Sequence, residues 1–154
     1  MKLSNQVSLN TDDIQKLSSH YLYHGRKEES WKINSVSVEA EKLNAHISMT
    51  STYLSGTDQH SFHLTIFSAL EFLSQLMIIY AHVWSGRDEK KREGWMVEST
   101  TKSVHAIRDP KNIQVKMSVH KIKERGKNLY CIADYKVSDS QGGLMEVRLK
   151  GFLS

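Results

Sequence analysis

The stretch from His60 to Trp84, HSFHLTIFSALEFLSQLMIIYAHVW, restricts the fold more than any other part of the chain. Its apolar residues (Ile66, Phe67, Ala69, Leu70, Phe72, Leu73, Leu76, Met77, Ile78 and Ile79) run almost all the way round a helix. A helix that is apolar on every side has to be buried, in a protein core or in a bilayer. The polar exceptions are ordered. At ~100° per residue, Ser68, Glu71, Gln75 and His82 fall in one narrow stripe, with Ser74 to one side. A buried helix with a single polar stripe either meets a strand edge or lines a pocket.

Leu64 to Trp84 is long enough to span a bilayer. Glu71 would then lie in hydrocarbon at a cost of roughly 2.5–3.5 kcal/mol, and Ser68, Ser74 and Gln75 would add to it. The segments on either side alternate like strands of a sheet with one wet face. The sequence therefore predicts a core helix, without membrane insertion.

Ahead of it, Thr11-Asp12-Asp13 offers a helix cap with acids in the first turn. Ile14, Leu17 and Tyr21 follow at helical spacing and Gly25 is a stop, which predicts a short amphipathic helix packed on the outside of the domain. Arg26-Lys27-Glu28-Glu29 is a charged connection. From Trp31 the period becomes two: Ile33, Val36 and Val38, then Leu43, Ala45, Ile47 and Met49, predict strands reaching to about Tyr53. Ser55-Gly56-Thr57-Asp58 reads as a turn into the central helix, with Thr65 or Ser61 as its cap and Ser85-Gly86 as its end.

Beyond a charged loop, Trp95 to Ile107 is a strand that Asp109-Pro110 breaks. Odd positions then carry the apolar residues through three more strands: Ile113 to Val119, Leu129 to Val137, and Met145 to Leu149. The even positions are polar, as in an antiparallel meander with one wet face. Arg125-Gly126-Lys127-Asn128 and the run Ser138 to Gly143 are the hairpin turns. The prediction is an α+β fold over residues 1–154 as one domain, with 1–30 as N-terminal helix and connection. One antiparallel sheet would wrap round one long helix.

Composition narrows the function. A chain of 154 residues buries roughly two thirds of its unfolded surface, and its ordinary apolar and charged fractions argue against disorder. Met1 to Gln6 lacks the apolar run of a signal peptide, so a cytoplasmic location is expected. The lone Cys131, at an apolar strand position, reads as a small core residue rather than a nucleophile. Lys90-Lys91-Arg92 is interspersed with acids and reads as a solvated loop. Lys116, Lys121, Lys123, Arg125 and Lys127 have no interleaved aromatics, which argues against nucleic-acid binding and leaves an attraction for coenzyme A phosphates or an acidic carrier protein. His60 and His63, and His20 and His24, lack the further ligands of a zinc site. No metal or cofactor is expected, and there is neither a phosphate loop nor a nucleophile elbow.

The predicted order of elements resembles the hotdog fold, which implies pairing into a homodimer or higher homo-oligomer with pockets at the subunit junction. His63-Leu64-Thr65 followed by Ser74-Gln75-Leu76 is similar in spacing to the motif of FcoT-like fatty acyl-CoA thioesterases, which carry His-Phe-Asn and later Asn-Gln-Leu. Gly94-Trp95, the basic strand before Pro110, and Gln141-Gly142-Gly143 also resemble that family. Thr65 and Ser74 stand where it has its two functional asparagines. Glu71-Phe72-Leu73-Ser74-Gln75 is similar to the Glu-x-x-x-Gln of hydroxyacyl-carrier-protein dehydratases, but Thr57 stands where that family has its catalytic histidine.

The first resemblance implies hydrolysis of an acyl-CoA or acyl-carrier-protein thioester, with an oxyanion held at the N-terminus of the central helix. Glu71 is then the candidate general base, supported by Gln75 or Ser68, while Thr65, Ser74 and His63 position water or substrate. Tyr53 and His60 would lean over the pocket, and an acyl tunnel would run beside Phe67, Leu70 and Leu73. Dehydration on the same scaffold and noncatalytic acyl binding are the alternatives. Each residue also has a plainer role, such as a cap for Thr65 or a strand-edge hydrogen bond for Glu71.

Overall fold

The computed structural model describes residues 6–59, 61–86 and 92–154. His60 and most of the cluster around Lys90-Lys91-Arg92 lie outside the described residues, as do the first five positions of the predicted non-leader N-terminus. The element order is α1 (Thr11–Leu17), a wide π-type turn (Tyr21–Gly25), α2 (Arg26–Glu28), β1 (Ser30–Glu39), β2 (Lys42–Ser51), α3 (Ile66–Trp84), β3 (Gly94–His105), β4 (Ile113–Arg125), β5 (Asn128–Ser138) and β6 (Leu144–Leu153).

The six strands form one antiparallel sheet in the order β1-β2-β4-β5-β6-β3. The alternation that predicted them sets their faces. Leu43, Ala45, Ile47 and Met49 of β2 are buried, as are Ile113, Val115 and Met117 of β4, and Leu129 to Val137 of β5 at odd positions. The β4–β5 hairpin closes through Gly126-Lys127, with Gly126 at φ +60°, a conformation that a side chain disfavours. Cys131 is buried, and desolvation pushes its thiol up to about 12, so it stays protonated in the core.

Helix α3 lies on the inner face of this sheet. Phe72, Leu73, Leu76 and Tyr80 are almost wholly enclosed, each worth roughly 1.5–3 kcal/mol of buried apolar surface. Two tyrosine hydroxyls inside this layer find carbonyls: Tyr80 donates to Ala40 O at 2.6 Å and Tyr135 to Leu73 O at 3.2 Å. The helix passes the length and hydropathy test for a bilayer span, but half of its apolar window is buried within the protein.

Burial of α3 is one-sided, which corrects the expectation of a rod enclosed all round. Phe67, Ile66, Val83 and Trp84 are 40–50% exposed. The polar stripe divides as well, with Ser68 and His82 buried and Glu71 and Gln75 at the surface. A single sheet covers one side of a helix; among the described residues the other side is only partly covered, by Arg26 over Phe67 and by Trp31 at Glu71.

The N-terminal segment also differs from expectation. Asn10, not Thr11, caps α1, accepting the Asp13 N–H at 2.9 Å. The helix ends at Leu17 and buries none of its residues, with Leu17 itself 75% exposed, so it is not packed against the domain. Gly25 is helical and the chain runs on through it into α2, so it is not a stop.

Candidate functional site at the head of the central helix

The first turn of α3 is where side chains from distant parts of the chain converge. Thr65 is the N-cap: its backbone is extended and its Oγ1 accepts the Ser68 N–H at 3.3 Å. The Thr65 hydroxyl lies 2.8 Å from that of Tyr21. Tyr21 donates in turn to Glu29 Oε2 at 3.0 Å, and Ser68 Oγ donates to the same oxygen at 2.8 Å. With the tyrosine proton given to Glu29, the threonine proton goes to the tyrosine oxygen and the ring of bonds is complete. Burial pushes the Tyr21 hydroxyl above its ordinary value; the bond from Thr65 opposes this and the Glu29 charge adds to it. Tyr21 is therefore a proton donor at neutral pH.

Gly25 permits this convergence. A Cβ there would stand 2.7 Å from the Tyr53 ring and 2.8 Å from that of Tyr21, and the two rings are 6.0 Å apart. Beside them opens a cleft of about 590 Å³, whose walls include Tyr21, Glu29, Tyr53, Asp58, Ser61 and His63.

On the far wall, His63 Nδ1 is 2.7 Å from Asp58 Oδ2. His63 Nε2 has no hydrogen-bond partner among the described residues. Arg108 Nη1 reaches the same Asp58 oxygen at 3.2 Å, Ser61 Oγ at 3.1 Å and Phe62 O at 3.4 Å. The His63 hydrogen bond first, and then that of Arg108, hold the Asp58 carboxyl below its ordinary range, so it is ionised at neutral pH. An ionised carboxylate at Nδ1 fixes the imidazole proton there and leaves Nε2 as the basic nitrogen.

Arg108 owes its place to a loop pair. Asp139, in the β5–β6 connection, accepts the backbone N–H groups of Arg108, Asp109, Gln141 and Gly143 at 2.7–3.0 Å. Gly143 backs onto Ile107 so closely that a Cβ would lie 2.6 Å from its Cα. The Ile107 carbonyl then accepts the Leu64 N–H at 2.9 Å, tying this corner to the approach to α3.

Of the residues singled out by sequence, His63 and Tyr53 line the cleft and Thr65 joins it through Tyr21. Glu71 takes a different position. It is about half exposed and does not line the cleft; its Oε1 accepts from Arg26 at 2.7 Å and its Oε2 from Trp31 Nε1 at 3.0 Å. Arg26 also lies over the Phe67 ring at 5.2 Å. Gln75 is exposed, and Ser74 Oγ is returned to Leu70 O at 2.7 Å within the helix. Phe67 is exposed, Leu70 half-buried and Leu73 wholly enclosed, so the three do not line a common tunnel. His60 lies outside the described residues.

Four contributors escaped the sequence reading: Tyr21, Glu29, Asp58 and Arg108. Tyr21 was read as a helix position, Glu29 as part of a charged connection and Asp58 as a turn residue. Only the fold brings them to one place. Among the described residues no group of three or more His, Cys, Asp or Glu is arranged to hold a metal ion.

No protein-family model matches the chain, and no curated protein matches it by sequence. Solved structures do match by shape. A hypothetical thioesterase of Streptococcus pneumoniae TIGR4, solved with coenzyme A, superposes with a TM-score of 0.56 at 10% identity, covering 81% of this chain and 86% of the other. The thioesterase HI1161 of Haemophilus influenzae gives 0.51 at 9% identity over 96% of this chain and 92% of its own. The smu.793 protein of Streptococcus mutans UA159, bound to acetyl CoA, gives 0.55 at 8% identity over 81% and 89%. The shared architecture is the hotdog fold, an antiparallel sheet wrapped on one long central helix.

Proposed function

We propose that the cleft at the head of α3 hydrolyses an acyl thioester, with His63 as general base. The observation that carries this reading is the 2.7 Å contact between His63 Nδ1 and Asp58, which leaves Nε2 free beside the positive end of the central helix. Similarly folded proteins named as thioesterases, one of them solved with coenzyme A, support the choice of substrate.

His63 Nε2 takes a proton from water as the water oxygen attacks the thioester carbonyl. The oxyanion develops towards the first turn of α3. There Thr65 already satisfies the amides of Ser68 and Ala69, which leaves those of Ile66 and Phe67 unclaimed. As the carbon–sulfur bond breaks, the imidazolium returns its proton to the departing sulfur. Glu29, pinned by Tyr21 and Ser68, offers the water a second fixed acceptor.

The substrate in this reading is an acyl-CoA or acyl-carrier-protein thioester in the cytoplasm, with no cofactor. The acyl chain follows the exposed apolar face of α3 at Phe67 and Ile66, since no internal tunnel runs beside Leu73. The working unit is a homodimer formed through the β3 edge, where Trp95 and Met96 are 57% and 43% exposed. An apolar strand edge left open in this way is a pairing surface. The fixed position of Glu71 between Arg26 and Trp31 argues against the dehydratase alternative, which needs that carboxylate for chemistry.

Release of free thiol from a series of acyl-CoAs tests the reading. His63→Ala should lower kcat by about 10²–10⁴-fold without lowering the melting temperature, and Asp58→Asn should lower it less. A folded protein that releases no thiol above background at any chain length rejects hydrolysis.

A further inference from the structure

Strand β4 changes face partway along. Val119 pairs with Ala133, but Lys121 pairs with Ile132, so the strand carries one residue more than its partner. Such a bulge re-aims every side chain after it. Before it the odd residues Ile113, Val115 and Met117 are buried; beyond it Ile122 packs on the core and Lys121, Lys123 and Arg125 are exposed. Three cations two residues apart, at a spacing of roughly 6.8 Å, thus line the outer face of the sheet.

Across from them, β5 and β6 present Tyr130, Ile132 and Lys150, and together with Val97 these residues enclose a cleft of about 650 Å³. The Arg125 guanidinium stands 5.7 Å from the centre of the Tyr130 ring, which lies 5.8 Å from that of Phe152. Two of the other cations on this face are paired. Arg148 makes two 2.7 Å bonds to Asp134, and Lys150 pairs with Glu98 at 3.0 Å. Lys121, Lys123 and Arg125 meet no carboxylate among the described residues.

We propose that this cleft binds a phosphorylated nucleotide, its base against Tyr130 and its phosphates against Lys121, Lys123 and Arg125. A planar base suits an aromatic ring already paired with a guanidinium, and unpaired cations in a row suit consecutive phosphates. Along β4 alone no aromatic accompanies the cations; the fold supplies one from the adjacent strand. The site lies on the opposite side of the sheet from α3, so it stands whether or not the other cleft cleaves thioesters.

Calorimetric titration at low salt with ADP, coenzyme A and inorganic tripolyphosphate tests this. Binding of ADP or coenzyme A should weaken by about tenfold or more in Lys123→Glu and in Arg125→Glu. It should weaken several-fold in Tyr130→Ala and be unchanged in Lys32→Gln, an exposed β1 position away from both clefts. Circular dichroism checks folding, and Lys121→Gln serves as a milder variant if charge reversal unfolds the chain. Tighter binding of ADP identifies a free nucleotide as the occupant; tighter binding of coenzyme A shows that its pantetheine arm adds contacts on this outer face, apart from any thioester held beside His63. Tripolyphosphate binding as tightly as either, equal affinity in all the charge variants, or no binding of any probe overturns the proposal.

Discussion

Glu71 is a carboxylate among apolar residues, and that setting is what marks it for chemistry in the sequence. In the folded chain both of its oxygens are occupied by Arg26 and Trp31 at the surface, where an ion pair contributes about 0–1 kcal/mol. Asp139 is the opposite case, a turn residue whose bonds organise a corner. Burial would raise its carboxyl, but the backbone N–H groups of Asp109, Arg108, Gly143 and Gln141 outweigh that and hold it below its ordinary value of 3.8. A depressed carboxyl stabilises the fold fully above the unfolded value, and the contribution fades as pH falls through the folded one. Asp139→Asn should therefore lower the urea midpoint at neutral pH, and the gap from the parent should narrow as pH falls below the ordinary carboxylate value of 3.8 and through the depressed folded one. A gap independent of pH would mean that the charge plays no part. Of the residues in the proposed site, His63 and Thr65 could be singled out from the sequence because their types restrict their use. Asp58 and Arg108 were not, because nothing local distinguishes an acid that orients an imidazole from one that closes a turn.

At the scale of elements, the periodicities were legible and their interruptions were not. The odd-numbered alternation holds through β4 as far as Val119, and the bulge then transfers the inward role to Ile122. No pattern of types announces that extra residue. The end of β5 and the turn after it were readable because Gly142 sits at φ +86°. For α3, the cap was foreseen but its second bond was not. Thr65→Ala removes both the cap and the proton given to Tyr21, and should cost about 1–2 kcal/mol in chemical denaturation. Thr65→Ser should restore most of it. Equal losses in the two variants would show that the methyl group, not the hydroxyl, matters.

For the whole molecule, the sheet-on-helix architecture followed from the order of periods, because a helix this apolar leaves a sheet few other ways to cover it. What a single chain could not reveal is how much of that helix one sheet leaves open. The homodimer proposed above would cover part of the exposed outer side of α3 and the apolar β3 edge. If that proposal holds, Trp95→Glu combined with Met96→Lys should shift the molecular mass measured by light scattering from dimer to monomer, with the circular dichroism spectrum retained. An unchanged dimer would move the interface elsewhere.

The grip of Tyr21, Arg26 and Glu29 on the front of α3 also has a consequence for biosynthesis. Those three side chains emerge from the ribosome long before Thr65, Ser68 and Glu71 exist to receive them. During translation the segment from Tyr21 to Glu29 has to wait for residues 65–71 to be made before it can dock.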